Sequence, residues 1–470
     1  LMIVILTIAL IAWVGKLLTQ EKIELYKGLI VLLLLFFIVV YVVSSILSVR
    51  FYNSLMGLDN HLSRALINVI YFFIFFLLLV NYREGGEEKR NTEIFKILTI
   101  LLSSSVIVGI IGLLQIFGKF IFPWDFTKIN SFNTVGTTTS LGIFLAILLP
   151  VVLSLLLSIK QREGKLTTIW FRIFLGVLAV LSLVMVLLLN VRVLWIITGV
   201  GMIVFIGFRL TRRDSLSSQD LGWLAIPIAI LALCLIFLIF RPGVLFDLKL
   251  PGELGLTYKG GWSIAKEVIQ RNPILGSGPE TFVYNYSLYK PESINQTMFW
   301  NLRFVNTPAE ILTLLPEIGV LGILSFLAIM VMFLLKVVRS LLNEERGSEQ
   351  LIRIKIGLFS SWIALIVAWF LYPQSLALMF IFWLFFALLT VLSGQRNDIK
   401  TFHFKGSTKV ALVGSFGAII LMIIVIGLLY MEGSKFIAEA KYKTALDLIN
   451  KGELDEGIDK VVRATVANPY

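Results

Sequence analysis

Cysteine and histidine are nearly missing from this chain, and each scarcity removes a class of chemistry. Cys234 is the one cysteine in 470 residues, so no intrachain disulfide forms and no cysteine-based metal site can be assembled. His61 and His403 are the two histidines, and they stand too far apart in sequence for a multi-histidine metal site. No Walker A, G-x-S-x-G or zinc-protease pattern occurs, which leaves nucleotide hydrolysis, α/β-hydrolase chemistry and metalloproteolysis without support. Ser263 and Lys266 spell S-x-x-K, but neither S-D-N nor K-T-G follows. No metal and no cofactor is expected.

Charge is scarce as well, at 15% of residues against 58% hydrophobic. Repeated apolar runs reach about 20 residues, the length that crosses a bilayer, so the chain reads as an all-α polytopic membrane protein. Cytosolic and nuclear readings are excluded. The formal charge of +12 comes from Lys and Arg scattered between apolar runs. That pattern marks cytoplasmic loops and argues against nucleic acid as a partner.

About twelve membrane helices are expected, near residues 2–18, 28–48, 63–82, 96–117, 138–158, 168–190, 193–209, 221–240, 309–335, 354–372, 374–393 and 410–430. Basic clusters follow the third, fifth, seventh, ninth and eleventh: Arg83, Lys89 and Arg90; Lys160, Arg162 and Lys165; Arg209, Arg212 and Arg213; Arg339, Arg346 and Arg353; Arg396, Lys400, Lys405 and Lys409. All five fall on one side, which the positive-inside rule makes cytoplasmic. The chain then divides into N-terminal helices at 1–240, an extracytoplasmic loop at 241–308, C-terminal helices at 309–430 and an external tail at 431–470. The first apolar segment has no small-residue cleavage site, so it reads as a membrane helix rather than a signal peptide. The same parity puts its start outside, as expected if a further helix precedes Leu1.

The tail, "AEAKYKTALDLINKGELDEGIDKVVRATVANPY", is charged and amphipathic, with Gly452 between two helical stretches. Ala445, Gly457, Ala464 and Pro469 match the small-residue and proline positions of a tetratricopeptide-like repeat. A plain helical hairpin is the other reading. One such repeat cannot bury its own apolar face, so the repeat reading expects more repeats past Tyr470, and a protein partner held by them.

The polar stretch of the loop, "LGSGPETFVYNYSLYKPESINQTMFWNLRFVNTPAEILTLLPEIGVL", enters the ninth membrane helix. Before it, Trp262 to Arg271 form a helical pattern with Trp262, Ala265, Val268 and Ile269 on one face, read as an amphipathic helix on the outer membrane surface. The glycines and proline of "LGSGPETF" let backbone approach either a ligand or a neighbouring helix. Arg303 and Glu310 come near the outer interface, with Glu317 about two turns deeper. A carboxylate at such depth either lines a watery cavity or makes an ion pair between helices. Arg192 stands alone at the tight junction of the sixth and seventh helices. Its guanidinium either snorkels to lipid phosphate or grips a diphosphate with its planar donor fork. Lys259 and Arg303 would add charge from the loop above.

Taken in order, Arg192 at a helix junction, "NPILGSGPETF" with an aromatic-rich loop, and "LTLLPEIGVLGILSFL" resemble the O-antigen ligase and polymerase family of bacterial membrane glycosyltransferases. "INSFNTVGTTTSLGIFLAILLP" is also similar to that family's helix start, and the resemblance spans roughly residues 40–395. It implies metal-independent transfer of a glycan from an undecaprenyl-pyrophosphate donor to a lipid, protein or glycan acceptor on the outer face of the cytoplasmic membrane. Arg192 matches the family arginine, and Lys259 stands where the family often has an arginine before its tryptophan, here Trp262. On this reading Arg192, Lys259, Trp262, Arg303 and Glu317 are substrate-binding residues. The family's loop histidine has no counterpart, since Pro308 or Ala309 occupies its place in "NTPAEIL". Either Glu310, or in its place Glu317, is the base, with Arg192, Lys259 and Arg303 neutralising the pyrophosphate as it leaves, or the acceptor differs, or the chain does not catalyse. The rivals are a lipid-linked oligosaccharide flippase, which should carry broken helices at matching positions in two halves, and a non-catalytic membrane scaffold.

The sidedness is open to direct test. Cysteines introduced by Ser293→Cys and Ser434→Cys should react with an impermeant thiol reagent from outside intact cells, and Ser348→Cys should not. External labelling at position 348 would overturn the topology.

Overall fold

The computed structural model describes residues 2–19, 22–57, 63–81, 87–158, 165–211, 222–240, 252–343, 349–394, 399–403 and 408–467. Arg83, Lys160, Arg162, Arg212, Arg213, Arg346, Arg396, Lys405, His61 and the first part of the external loop lie outside these residues. The described chain is built from helices α1 (Met2–Thr19), α2 (Leu29–Ile46), α3 (Phe51–Met56), α4 (Leu66–Asn81), α5 (Glu87–Ile116), α6 (Thr138–Ser158), α7 (Lys165–Leu189), α8 (Arg192–Thr211) and α9 (Ala225–Phe240). They are followed by α10 (Tyr258–Arg271), α11 (Phe282–Tyr289), α12 (Glu292–Asn295), α13 (Glu310–Asn343), α14 (Glu349–Leu371), α15 (Leu376–Ser393), α16 (Thr408–Asn450) and α17 (Leu454–Ala467). Among the described residues eight helices are long and apolar enough to cross a membrane, and α4, α9 and much of α1 form shorter apolar helices. The protein is a polytopic helical membrane protein.

Three features depart from the sequence expectation. First, strands β1 (Lys22–Tyr26) and β2 (Ile399–His403) pair antiparallel, a small sheet in a chain read as wholly helical. Each is only 5 residues long, and the pairing spans almost the whole sequence, so no local pattern announced it. It brings the connection after α1 and the connection after α15 to the same side of the molecule. Second, the segment expected to lie outside holds three helices, α10 to α12, rather than one. Third, several basic residues assigned to loops lie on helices that run past the apolar span. Lys89 and Arg90 are on α5, and Arg339 is on α13. Arg209 and Arg353 are buried, with the Arg353 guanidinium donating to the Leu157 carbonyl and to Glu349.

Helix α6 lies at the centre, with 89% of its apolar window buried; a helix apolar on all sides can be satisfied only there. It packs against α7, α8 and α14, while α2 packs on α13, and α4 on α15. Helix α1 closes one flank against α4 and α16.

Helix α13 is broken near its N-terminal end. Pro316 has no N–H to give the helix, and Gly319 adopts φ 67° and ψ −175°, outside helical geometry. Backbone groups freed inside a membrane must find partners, and the segment 273–278 supplies them. Ser277 N and Gly278 N donate to the carbonyls of Pro316 (2.9 Å) and Glu317 (2.8 Å). Val320 N and Leu321 N donate in turn to the carbonyls of Pro273 (2.9 Å) and Ile274 (3.1 Å). The glycines of "LGSGPETF" therefore serve close approach to a neighbouring helix. Gly276, at φ +68°, leaves no room for a side chain, because a Cβ would stand 2.4 Å from the Pro316 carbonyl oxygen.

Helix α10 is capped by Thr257, whose hydroxyl accepts from Gly260 N. Its buried face is Gly261, Ile264, Ala265 and Val268, and it packs on α13. The face is rotated from the expected one, leaving Trp262 exposed. The reason is Gly261, which comes so close to Thr307 that a Cβ would lie 3.0 Å away. The tail forms a hairpin in which α16 and α17 meet through Ala445, Ala464 and a Gly457 that presses on Ile449. Gly452 turns between them at φ +90°.

Gly319 tests the account of the break. Gly319→Ala combines a left-handed backbone with a Cβ 2.3 Å from the Ile274 carbonyl oxygen and should cost about 2 kcal/mol or more. The thermal midpoint of the purified protein should fall by several degrees, whereas Gly207→Ala, with open space around its Cβ, should leave it in place. A Gly319→Ala midpoint equal to wild type would contradict the packing described.

Candidate functional site

On the N-terminal side of the break, four ionisable side chains meet out of contact with water. Arg64 sits in the turn before α4 with 2% of its side chain exposed, and Glu280, Glu310 and Glu317 expose 1%, 0% and 0%. Arg64 Nε donates to Glu317 Oε2 at 3.0 Å, and Nη2 donates to Glu280 Oε2 at 3.3 Å. Nη1 stands 3.5 Å from Glu310 Oε1. The Arg64 backbone is tied too, its N–H donating to Glu280 Oε1 (2.9 Å) and its carbonyl accepting from the Tyr41 hydroxyl. Glu280 takes the left-handed φ of +56°, unusual for a side-chain-bearing residue. Its two bonds to Arg64 hold it there. Burial pushes the Glu280 carboxyl above the ordinary carboxylate range, and Arg64 pulls it back in part.

The three carboxylates are used differently. Glu317 is fully engaged, with Oε1 accepting from Phe282 N at 3.2 Å and Oε2 from Arg64. Glu310 Oε2 accepts from Gln374 N at 2.8 Å, while Oε1 has no hydrogen-bond partner among the described residues. Glu310 Oε1 faces Arg64 Nη1 at 3.5 Å, a longer contact than those of the other carboxylate oxygens.

Gln374 connects this cluster to a cavity of about 840 Å³ between α1, α4, α15 and the segments 133–137 and 372–375. Its polar lining includes Asn133, Thr137, Ser140, Asn306, Tyr372 and Gln374, and its apolar lining includes Ile5, Leu6, Phe75 and Phe380. Beside it, Glu253, in the segment before α10, reaches the start of α6, accepting from Thr139 N and Thr138 Oγ1, each at 3.0 Å. A carboxylate is favourable at a helix N-terminus. The Tyr372 hydroxyl donates to Glu253 Oε2 at 2.5 Å and lies 2.5 Å from Thr137 Oγ1. Burial and the Glu253 charge together push this hydroxyl well above its ordinary pKa.

Of the residues singled out from sequence, Glu310 and Glu317 come together around Arg64. Arg192, Lys259 and Arg303 are exposed, Trp262 is 55% exposed, and none of the four lines the cavity. Sequence reasoning passed over Arg64, Glu280, Glu253, Tyr372 and Gln374. The one local signal for Arg64 was a lone cation immediately before an apolar helix, the same signal that drew attention to Arg192.

No protein-family model matches the chain, and no curated protein matches it. Fold and site by themselves define a polytopic helical membrane protein with a buried ion cluster behind a polar-walled cavity.

Removing the central cation should be severe. Arg64→Ala leaves three carboxylates buried without their partner, a change that typically costs about 3–5 kcal/mol. Arg64→Lys should fall in between, because one ammonium cannot reproduce the guanidinium fork. Thermal unfolding of the purified variants checks this, and an Arg64→Ala protein as stable as wild type would refute the clamp.

Proposed function

We propose that this chain is a metal-independent membrane glycosyltransferase of the O-antigen ligase type, acting at the outer face of a bacterial cytoplasmic membrane. Its donor would be an undecaprenyl-pyrophosphate-linked glycan and its acceptor a lipid, a protein or another glycan. The observation that carries the reading is Glu310, whose Oε1 stands 3.5 Å from Arg64 Nη1 with no hydrogen-bond partner among the described residues and whose Oε2 is tied through Gln374 N to a cavity lined by both polar and apolar side chains. In the reaction proposed, the acceptor hydroxyl gives its proton to Glu310 as its oxygen attacks the anomeric carbon. The bond from that carbon to the diphosphate oxygen breaks, and the lipid diphosphate leaves with the electron pair. Arg192, Lys259 and Arg303 make no ion pair among the described residues, so their charge is free to neutralise the leaving group. Exposed Trp262, close in sequence to Lys259, offers a ring face to a sugar. Glu317, first read as a substrate ligand, is better given the structural role of holding Arg64 and Phe282.

The proposal includes the twelve-helix topology, with the external segment and the tail outside. The shared side of β1 and β2 agrees with it. The tail would be the start of a tetratricopeptide-like domain for a protein partner, in line with small residues at the α16–α17 contact. An exporter reading finds one expected feature, the break in α13. No second described helix contains a non-helical residue of this kind, so the paired breaks expected of inverted repeats are missing among the described residues.

Transfer of labelled glycan from a purified lipid-diphosphate donor, with donor binding measured alongside, tests the reading. Arg192→Ala should lose about a hundredfold to a thousandfold in rate, and Arg192→Lys should already be impaired. Glu310→Gln should slow transfer by about a hundredfold with little change in donor binding. Full transfer by Glu310→Gln removes it as the base. Full transfer by Arg192→Ala removes the diphosphate grip.

A further inference from the structure

Among the cavity's described lining residues there is no Lys, Arg, His, Asp or Glu, although hydroxyls and amides come from four separate segments. A charged headgroup moved out of water into such a space would leave its hydration with no counter-charge to replace it. At about 840 Å³ the volume lies within the range of small-molecule sites. Its apolar side, formed by Ile5, Leu6, Phe75 and Phe380, suits a hydrocarbon chain.

One lining group is short of a partner. Gln374 is 4% exposed; its Nε2 donates to the Tyr372 carbonyl at 3.0 Å, which fixes the amide orientation because a carbonyl oxygen cannot accept from Oε1. Gln374 Oε1 has no hydrogen-bond partner among the described residues. A buried amide oxygen in that condition calls for a donor, and the cavity is where one can arrive. Other polar lining groups are already spent on the protein, since Asn133 Oδ1 accepts from Val135 N and Gly136 N, and Thr137 Oγ1 accepts from Ser140 N. Asn306 makes no side-chain hydrogen bond among the described residues.

We propose that this cavity binds the uncharged, hydroxyl-bearing headgroup of an amphiphile, with a hydroxyl donating to Gln374 Oε1 and Asn306 completing the contact. The inference rests on the transfer reading for treating the cavity as a substrate site. Beyond that reading, it assigns the cavity to a neutral sugar-like portion and leaves the diphosphate outside, near the exposed cations. Binding tests it independently of transfer.

The experiment uses the whole chain in lipid nanodiscs and radiolabelled short-chain alkyl maltoside below its micelle concentration, with binding to empty nanodiscs subtracted. Alkyl phosphocholine and alkyl sulfate of the same chain length serve as charged comparisons. Wild type should prefer the maltoside by about tenfold or more, because the charged headgroups find no counter-charge. Gln374→Leu should reduce maltoside affinity by about fivefold to tenfold through loss of one hydrogen bond in a buried site. If Gln374→Leu does not fold, Asn306→Leu, at a half-buried position, gives the same readout. Equal or tighter binding of a charged amphiphile would overturn the proposal, as would maltoside affinity unchanged in the folded variant. Loss of transfer in Arg192→Ala with maltoside binding intact supports both readings, whereas unaltered transfer there removes the transfer reading alone.

Discussion

A single guanidinium, Arg64, ties together four separate parts of this protein. Its bonds reach Glu280 in the segment between α10 and α11, Glu317 and Glu310 on α13, and through its own carbonyl Tyr41 on α2. Each is a contact between segments far apart in sequence, so the arrangement of α2, α4, α13 and the 272–281 segment stands or falls together. Charges buried in this way add little net stability over apolar packing, because desolvation takes back most of the attraction. Their value lies in geometry. An apolar core tolerates sliding between neighbouring helices, but a fork of N–H groups facing three carboxylates fits in one register.

The break in α13 places those carboxylates. A continuous helix would carry Glu310 and Glu317 two turns apart on one rod, with no room for the loop that contributes Glu280. Interrupting it at Pro316–Gly319 admits backbone from 273–278, and that backbone then satisfies the helix it has entered. The segment between α9 and α13 is consequently part of the helical domain's internal bonding. Its small apolar cluster of Leu256, Ile264, Phe282 and Tyr286 and the Glu253–Tyr372 bond hold it down at two further points.

Much of the helical architecture is legible in the sequence because a membrane crossing demands long apolar runs, and such runs are visible without context. The turn at Gly452 and the glycine-proline character of the 275–279 segment were equally readable, since backbone geometry restricts which residues serve there. What escaped was pairing over distance. Two carboxylates at 310 and 317 imply an internal cation, and the sequence offers Arg64 and Arg192 in nearly the same local setting, each just ahead of an apolar helix. Only the fold decides between them. Gln374 escaped for a different reason: a neutral amide after a Tyr-Pro pair carries no signal until its neighbours are known. The short β1–β2 ladder was hidden by its length and by the separation of its strands.

The separation between Arg64 and its partners also has a consequence in time. Glu280 lies 216 positions after Arg64 and Glu317 lies 253 after it. At a synthesis rate of about 5–20 residues per second, the guanidinium waits roughly ten to fifty seconds before any of its carboxylates exists. An unpaired arginine is costly within the hydrocarbon, by at least about 2.5–3.5 kcal/mol on insertion scales. It therefore passes that interval at the headgroup level or in contact with the insertion machinery. The entrance to α4 therefore gains its carboxylate partners only after the segments that carry Glu280 and Glu317 have been made.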